Sequence, residues 1–212
     1  MRTWAIVVAA GGGARFGAAK QFARLGDATV VDRAVHVAQD ACDGVVVVVP
    51  ADATWDAPAG VTCTVGGATR SDSVRAGLAL VPDEADVVVV HDAARPLASR
   101  ELFDRVVATV VAGADGAVPA LPVPDTLKRV EGDRVVETVP REGLVGAQTP
   151  QAFRADVLRA AHAVGGVDTD DAALVEAGGG TVRIVEGERR NIKLTLPDDL
   201  AFARALLDGA RT

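Results

Sequence analysis

The sequence predicts an α/β protein with three α/β/α layers, in which helices cover both faces of a mostly parallel sheet. Short apolar runs alternate with segments of helical periodicity, as in strand–helix–strand units. The runs are almost wholly apolar, which is typical of parallel strands that are covered on both faces. The predicted strands are residues 4–10, 44–50, 61–65, 86–91 and 116–121, and the predicted helices between them are 29–41, 70–81 and 99–112.

A later segment departs from this alternation. Residues 125–144 contain two stretches of alternating polar and apolar residues around the sequence EGD, a pattern that predicts a β-hairpin. A hairpin inside an α/β chain is expected to project as an arm and to pack on a second subunit. The chain then returns to helices over 154–208, with strands predicted at 181–187 and 191–195 and a last helix beginning at Pro197.

Composition and charge limit the possible functions. The 212 residues show no internal repeat or low-complexity linker, so residues 1–212 are interpreted as a single domain. A net charge of −7 argues against a nucleic-acid partner, although a small phosphorylated ligand needs only a few local cations. Neither a basic leader nor an apolar run of about 18 residues occurs, so we expect a cytoplasmic protein without a membrane span. Cys42 and Cys63 are expected to be buried rather than to form a disulfide or a zinc site.

The stretch AAGGGARFGAAKQF, residues 9–22, looks like a phosphate-binding loop but matches neither common pattern. A Walker A loop needs a lysine and a hydroxyl residue directly after its last glycine, whereas two alanines precede Lys20 and Gln21 follows it. A dinucleotide-binding fingerprint fails because Phe16 and Ala18 stand where glycine is required. The spacing therefore excludes both patterns.

What remains is a glycine cluster with two cations, Arg15 and Lys20. Backbone N–H groups can approach phosphate oxygens where no Cβ intrudes, and the two cations can neutralise charge on a triphosphate. A flexible glycine turn with solvated side chains is the alternative that the residue types leave open.

Polar residues also stand where a parallel sheet binds its ligands, beyond the carboxyl ends of its strands. HDAARP supplies Asp92 and Arg95, which could instead pair with each other. GGATRSDSV supplies Arg70 and Ser73, and VDTDDA supplies further carboxylates, although both segments also fit helix N-caps. Lys193 lies in the apolar segment NIKLT and either extends to solvent or points into a site.

Taken in order, these motifs make the chain resemble the 2-C-methyl-D-erythritol 4-phosphate cytidylyltransferase family. The motifs are AAGGGARF…KQF, GGATRSDSV, HDAARP, DTLKR, QTPQ, DTDD and NIKLTLPDDL, and they extend from about residue 4 to residue 207. The resemblance implies a Rossmann-like nucleotidyltransferase fold and an enzyme that joins CTP to methylerythritol phosphate with release of pyrophosphate. It also implies Mg²⁺, a place in the non-mevalonate isoprenoid pathway, and a homodimer in which the arm reaches the neighbouring site.

The resemblance further implies roles for individual residues. Arg15 and Lys20 match the pair that stabilises the transition state, and Arg141 and Lys193 match the pair that holds the acceptor for in-line attack. The residues expected at CTP are Ala9, Ala10, Gly11, Gly12, Gly13, Gly67, Ala68, Ser73, Asp92 and Ala93. The residues expected at the acceptor are Asp92, Arg95, Thr126, Arg141, Thr169 and Lys193. Magnesium is expected to bind mainly through the CTP phosphates, with Asp92 as a candidate ligand.

Two positions depart from the family's usual pattern. Ala68 stands where many members have an acidic residue beside the base, and Ala19 replaces a frequent proline.

Three other functions remain as alternatives. One alternative is a cytidylyltransferase for another polyol phosphate, such as ribitol 5-phosphate. The others are a guanylyl- or sugar-nucleotidyltransferase and a catalytically silent nucleotide-binding module. Cations expected at both substrates argue against the silent module.

Overall fold

The computed structural model describes residues 1–11, 20–165 and 170–209. Its strands are β1 (Thr3–Val8), β2 (Arg24–Leu25), β3 (Ala28–Thr29), β4 (Gly44–Val49), β5 (Val61–Val65), β6 (Val87–Asp92), β7 (Gly116–Pro122), β8 (Leu127–Glu131), β9 (Arg134–Val139), β10 (Val145–Ala147), β11 (Gln151–Arg154) and β12 (Val182–Glu186). Its α-helices are α1 (Val30–Ala41), α2 (Arg70–Leu78), α3 (Arg100–Val111), α4 (Ala155–Ala163), α5 (Asp171–Ala177) and α6 (Pro197–Asp208).

The described strands form one large, mostly parallel sheet. β5, β4, β1 and β6 lie side by side and run parallel. β11 is antiparallel to both β6 and β7, while β12 runs parallel to β7 at the edge. β10 pairs antiparallel with the end of β7. The predicted strands and helices up to residue 122 are confirmed within a few residues at each end.

Helices cover both faces of this sheet, which confirms the three layers. Alternate residues of β1 point to opposite faces, because side chains alternate along a strand. Val7 belongs to the core under α1 and α3, together with Phe103. Ile6 belongs to the core under α2, α4 and α5, together with Val74 and Leu158. Complete burial of a side chain such as Phe103 stabilises the fold by about 1.5–3 kcal/mol.

The predicted hairpin is confirmed. Among the described strands, β8 and β9 pair only with each other, as a separate antiparallel ribbon. Gly132 adopts a φ of +61° in the turn between them, a backbone conformation that residues other than glycine rarely adopt. Apolar side chains on this arm are exposed, including Val130 at 56% and Val135 at 55%. Within this chain, the arm therefore leaves apolar surface uncovered.

The strand predicted at 191–195 is wrong. That segment is irregular and lies beside the loop after β6, where Leu194 N–H donates to Ala94 O at 2.8 Å. Its apolar alternation reflects a small core instead, since Leu194 is buried there and Ile192 packs against the same cluster. The helix predicted to begin at Pro197 is confirmed as α6.

Two further expectations concern the cysteines and membranes. Cys42 is half-buried and Cys63 is exposed, so the prediction that both are buried is wrong for Cys63. The reason is that Cys63 lies on β5, an edge strand of the sheet. Across residues 1–11, 20–165 and 170–209, no helix combines the length and the apolar character that a membrane crossing requires.

Candidate active site

The polar residues expected after β6 surround a cavity of about 160 Å³. Its walls come from β6, the start of α2, the segment around β10 and β11, and residues near 193. The lining residues are Arg70, Asp92, Arg95, Ala147, Gln148, Thr149, Gln151, Asp170 and Lys193. A larger cleft of about 490 Å³ at α4 and α5 has no cationic residue among the described residues that line it, and a phosphorylated ligand would require one. The smaller, charged cavity is therefore the better candidate for a phosphate.

Asp92 lies between two cations in this cavity. One carboxylate oxygen accepts from Nε of Arg70 at 3.3 Å, and the other accepts from Nζ of Lys193 at 2.7 Å. Burial by itself would raise the pKa of Asp92, but the charges of Arg70 and Lys193 outweigh it and hold that pKa well below its usual range. An ionised Asp92 thus holds one cation on each oxygen.

Arg95 contacts carbonyl groups instead of pairing with Asp92. Its guanidinium donates to Asn191 O at 2.8 Å and to Ala147 O at 3.2 Å, while its buried Nε has no hydrogen-bond partner in the described part of the chain. Burial lowers the pKa of Arg95, and the nearby charge of Asp92 acts in the opposite direction. No carboxylate forms an ion pair with Arg95 among the described residues, so its charge can meet an anionic ligand.

A buried hydrogen-bond network fixes the backbone at Asp92. The Thr149 hydroxyl accepts from Asp92 N–H at 3.0 Å and lies 3.1 Å from Nδ1 of His91. Nε2 of His91 lies 3.1 Å from the carbonyl of Arg95, so Nε2 carries the proton and Nδ1 accepts from Thr149. Burial lowers the pKa of His91 to about 4, and the ring is neutral near pH 7. His91 therefore serves the structure of the loop as a neutral side chain.

Lys20 reaches the segment that carries Lys193. Its Nζ donates to Leu194 O at 2.6 Å, and the side-chain amide of Gln21 donates to Gly11 O at 3.2 Å. The end of the glycine loop is thereby tied to the chain just after β1 and to the segment that carries Lys193. The predictions for Gly12, Gly13, Arg15 and Thr169 fall on residues outside those that the structure describes.

Several residues predicted at CTP meet where β1 and β5 end. A Cβ at Gly66 would lie 2.3 Å from Cβ of Ala10 and 2.7 Å from Oγ of Ser73, so only glycine allows this approach. Ala9 is buried and its N–H donates to Val48 O at 2.7 Å. Gly66 was not assigned a role from the sequence, although the GG pair directly after a strand was its signal.

The remaining residues predicted at CTP lie along the same edge of the sheet. A Cβ at Gly67 would lie 2.3 Å from Cβ of Asp72, so this glycine too has no room for a side chain. Ala68 is exposed, whereas Ala93 is buried and its N–H donates to Val8 O at 3.0 Å. Their roles at CTP stay predictions.

The two arm residues predicted at the acceptor lie elsewhere in this chain. Arg141 donates to Pro124 O and lines a separate cleft, and Thr126 is exposed on the arm. Neither lines the cavity around Asp92. A single copy of the chain therefore does not bring together all the residues expected at the acceptor.

The family resemblance assigned no site role to Arg70, Gln151 or Asp170, which all line the cavity. Nε2 of Gln151 donates to one oxygen of Asp170 at 3.0 Å, and the other oxygen accepts from Ala173 N–H at 3.0 Å. The motifs GGATRSDSV, QTPQ and DTDD contained these residues, but no pattern indicated which of their side chains turn inward.

The acidic groups offer little to a metal by themselves. In the described part of the chain, no cluster of three or more His, Cys, Asp or Glu side chains could enclose an ion. Asp92 and Asp170 both line the cavity, but each already accepts hydrogen bonds on both oxygens. These two carboxylates do not form a metal site by themselves. They are compatible with a metal ion that is bound mainly by the phosphates of a ligand.

Comparison with known proteins gives the family of the chain. The family model described as "IspD: 2-C-methyl-D-erythritol 4-phosphate cytidylyltransferase" matches residues 3–209. The 2-C-methyl-D-erythritol 4-phosphate cytidylyltransferase of Rubrobacter xylanophilus is 43% identical over 216 residues, covering 96% of this chain and 94% of that protein. The enzyme of the same name from Rhodococcus jostii is 46% identical over 214 residues, with the same coverage.

A fused relative and a solved structure agree with this match. The bifunctional enzyme IspD/IspF of Dinoroseobacter shibae is 46% identical, and the match covers 96% of this chain but 53% of that protein. This chain thus spans about half the length of that relative. The crystal structure of the cytidylyltransferase from Thermus thermophilus matches with a TM-score of 0.85 and 38% identity, over 96% of this chain and 98% of that one. The chain belongs to the 2-C-methyl-D-erythritol 4-phosphate cytidylyltransferase family.

Proposed function

We propose that this protein transfers the cytidylyl group of CTP to 2-C-methyl-D-erythritol 4-phosphate. The products are 4-diphosphocytidyl-2-C-methyl-D-erythritol and pyrophosphate. One observation carries the proposal beyond family membership: Asp92 holds Arg70 and Lys193 at the end of β6, in a cavity where a phosphate can bind. The enzyme is thus a CTP-dependent nucleotidyltransferase of isoprenoid synthesis.

The reaction needs positioned charge and no protein base. A phosphate oxygen of the acceptor attacks the α-phosphorus of CTP in line, and the bond to the bridging oxygen breaks as pyrophosphate leaves with the electron pair. A phosphate monoester has a second pKa of about 6, so it is mostly a dianion near pH 7 and has no proton to lose. The neutral His91, which is fully buried, fits such a mechanism because the chemistry does not require it as a base.

Cations from different parts of the chain divide the work. Lys193 and Arg95 hold the acceptor phosphate, since both line the cavity and the charge of Arg95 lacks a carboxylate partner among the described residues. Lys20 and Arg15 stabilise the charge that grows on the α-phosphoryl oxygens and the leaving pyrophosphate. Support for Lys20 in this role is its hydrogen bond to Leu194 O, one residue from Lys193.

The nucleotide takes the neighbouring surface, between the ends of β1 and β5. Ala10, Gly66 and Ser73 approach one another closely there, because the glycine lets the chain after β5 lie against the chain after β1. Ala68 is exposed, and its backbone carbonyl can accept from the amino group of cytosine.

Magnesium would be held mainly by the triphosphate of CTP, with Asp92 as the candidate carboxylate of the cavity. When bound, it would supply charge neutralisation at the reacting phosphoryl group. The proposal rests on the donor set, since the oxygens of Asp92 and Asp170 are already engaged by protein hydrogen bonds. Asp92 then acts on the cations Arg70 and Lys193 in preference to the metal.

The arm completes the site of a second subunit in a homodimer. Exposed Val130 and Val135 give the arm an apolar surface to bury, and Arg141 lines no part of the Asp92 cavity in its own chain. Arg141 and Thr126 of one subunit would then contact the acceptor bound to the other subunit.

A subunit-mixing experiment tests this arrangement. Arg141→Ala and Lys193→Ala are each expected to be nearly inactive alone. An equimolar mixture of the two variants should regain about a quarter of wild-type activity after the subunits exchange at random. Half of its dimers are then mixed, and one of the two sites in each mixed dimer is intact. If mixing restored no activity although subunits exchanged, each site would use its own Arg141.

We also propose that residues 1–212 act as one domain in the cytoplasm. The large sheet takes strands from Thr3 to Glu186, which supports a single unit. Both cysteines are free thiols, as is usual in a reducing compartment.

Pyrophosphate release by purified protein tests the activity. The assay pairs CTP and Mg²⁺ with methylerythritol phosphate or with ribitol 5-phosphate, and mass spectrometry identifies the product. Turnover with methylerythritol phosphate alone supports the proposal. Preference for ribitol 5-phosphate would mean that the protein performs the same reaction in another pathway. Inactivity with both acceptors would leave a nucleotide-binding module.

A further inference from the structure

A second ion pair lies behind the Asp92 cavity and leads away from it. Nη1 of Arg70 donates to one oxygen of Asp171 at 2.8 Å. The other oxygen of Asp171 lies 3.0 Å from Nε2 of His162. Asp171 is fully buried and does not line the cavity, and His162 is also buried. Hydrogen-bonded polar side chains thus continue from the cavity into the interior between helices.

Arg70 is the link between the cavity and this interior pair. Its Nε contacts Asp92 and its Nη1 contacts Asp171, so one planar guanidinium joins two carboxylates. Burial by itself would lower the pKa of Arg70, but Asp171 and Asp92 raise it above its usual value and keep the side chain charged. With both contacts made, the guanidinium cannot rotate without losing an ion pair.

Helix geometry places the three residues together. Arg70 begins α2 and Asp171 begins α5, while His162 lies in the last turn of α4. An ionised carboxylate can only accept, so Nε2 of His162 donates to Asp171. Nδ1 of His162 is buried without a hydrogen-bond partner among the residues that the structure describes, and the contact with Asp171 orients the ring.

A purely structural role explains this arrangement poorly. Buried ion pairs contribute little net stability, because desolvation offsets most of the attraction. An apolar contact would join α2, α4 and α5 as well. What a charged residue adds at position 171 is a fixed direction for the guanidinium of Arg70, and therefore a fixed direction for the carboxylate of Asp92.

We propose that Asp171 is a positioning residue for cytidylyl transfer. It anchors Arg70, Arg70 orients Asp92, and Asp92 holds the ammonium of Lys193 at 2.7 Å where the acceptor phosphate binds. This inference rests on the proposed function, and it adds a residue outside the cavity to the groups that set acceptor binding. Asp171 itself contacts neither substrate.

The test is Asp171→Asn, which keeps the shape and the acceptor for His162 but removes the charge that anchors Arg70. We expect kcat to fall and the KM for the acceptor phosphate to rise, each on the order of tenfold, because small misplacements are costly for reacting groups. The KM for CTP should change less than about twofold, since Asp171 acts on the acceptor side.

Asp32→Asn is the matched control. Asp32 is a half-buried carboxylate that accepts hydrogen bonds from Thr29 N–H at 2.9 Å and from Trp55 Nε1 at 2.8 Å, and it does not line the cavity. The substitution should lower thermal stability and leave both KM values unchanged. If Asp171→Asn behaves in the same way, Asp171 is only structural and the inference fails.

A double substitution gives the sharper result. If Asp171 acts through Lys193, adding Asp171→Asn to Lys193→Ala should reduce kcat/KM for the acceptor by less than about twofold further. If kcat/KM of the double variant fell by the product of the two single-variant factors, the two residues would act independently and the proposal would be contradicted. Should Asp171→Asn fail to fold, Arg70→Lys replaces it, since an ammonium keeps the charge without joining both carboxylates. Absence of turnover by the wild type would instead reject the proposed function.

Discussion

Lys193 donates a 2.7 Å hydrogen bond to Asp92, although 101 positions separate the two residues in the chain. This contact brings the segment before α6 to the carboxyl end of β6. The second oxygen of Asp92 accepts from Arg70, so a single carboxylate sets the positions of two cations. The candidate site therefore depends on segments that meet only in the folded chain.

Asp92→Asn should weaken acceptor binding without changing the need for magnesium. Removing the negative charge leaves Arg70 and Lys193 mutually repelled, so the KM for the acceptor should rise at least about tenfold. Initial rates over a range of Mg²⁺ concentrations give the second readout. A large increase in the Mg²⁺ required by the variant would show that Asp92 is a metal ligand.

Lys20→Ala should act on the rate of the chemical step. Loss of a cation that stabilises the transition state is expected to reduce kcat by 10²- to 10³-fold, or about 3–4 kcal/mol. Steady-state kinetics at saturating substrates measures this effect. Arg100→Ala is the control, because it removes a cation from the exposed face of α3. An unchanged kcat in Lys20→Ala would remove Lys20 from the mechanism.

His91 should make stability depend on pH in a defined window. The imidazole of the unfolded chain takes up a proton below about pH 6.5, whereas the folded ring, with its lowered pKa, does so only near pH 4. Its contribution is complete above pH 6.5 and is lost as the pH falls towards 4, by about 3 kcal/mol in total. His91→Gln lacks this titration and retains a donor for the Arg95 carbonyl.

Urea unfolding of wild type and His91→Gln at several pH values measures this effect. The difference in their free energies of unfolding should narrow steadily between pH 6.5 and pH 4. A difference that stays constant over that range would mean that the folded ring of His91 titrates normally.

Gly66→Ala should disturb the nucleotide side of the site. The new Cβ would lie 2.3 Å from Cβ of Ala10, so the ends of β1 and β5 must separate. Such overpacking typically lowers the free energy of unfolding by about 1–3 kcal/mol, and here it should also raise the KM for CTP. Gly146→Ala is the control, since its nearest neighbour would be Leu121 O at 3.8 Å. If both variants changed the KM for CTP equally, Gly66 would have no specific role in CTP binding.

The sheet, its covering helices and the arm could be predicted because their signals are local. The apolar runs of β4 and β6 are covered on both faces, and the arm contains its own turn at Gly132. The segment 191–195 was predicted incorrectly because alternation does not show what a side chain packs against. Leu194 packs in the small core near α6 instead of joining the sheet.

Individual site residues could be predicted only where a motif named them. Asp92 and Lys193 were expected at the acceptor from the family resemblance, and the structure brings them into contact. The pair Arg70 and Asp171 was missed, since 101 positions separate these residues and each alone resembles part of a helix start. Contacts of this kind depend on how α2 and α5 pack, which no local pattern contains.

The Asp92 cavity is proposed to bind the acceptor phosphate. The most direct test compares the KM for methylerythritol phosphate and the KM for CTP in wild type and in Lys193→Ala. We predict that the first rises at least about tenfold, whereas the second stays within about twofold. A rise in the KM for CTP with no change in the KM for the acceptor would instead place the nucleotide in this cavity.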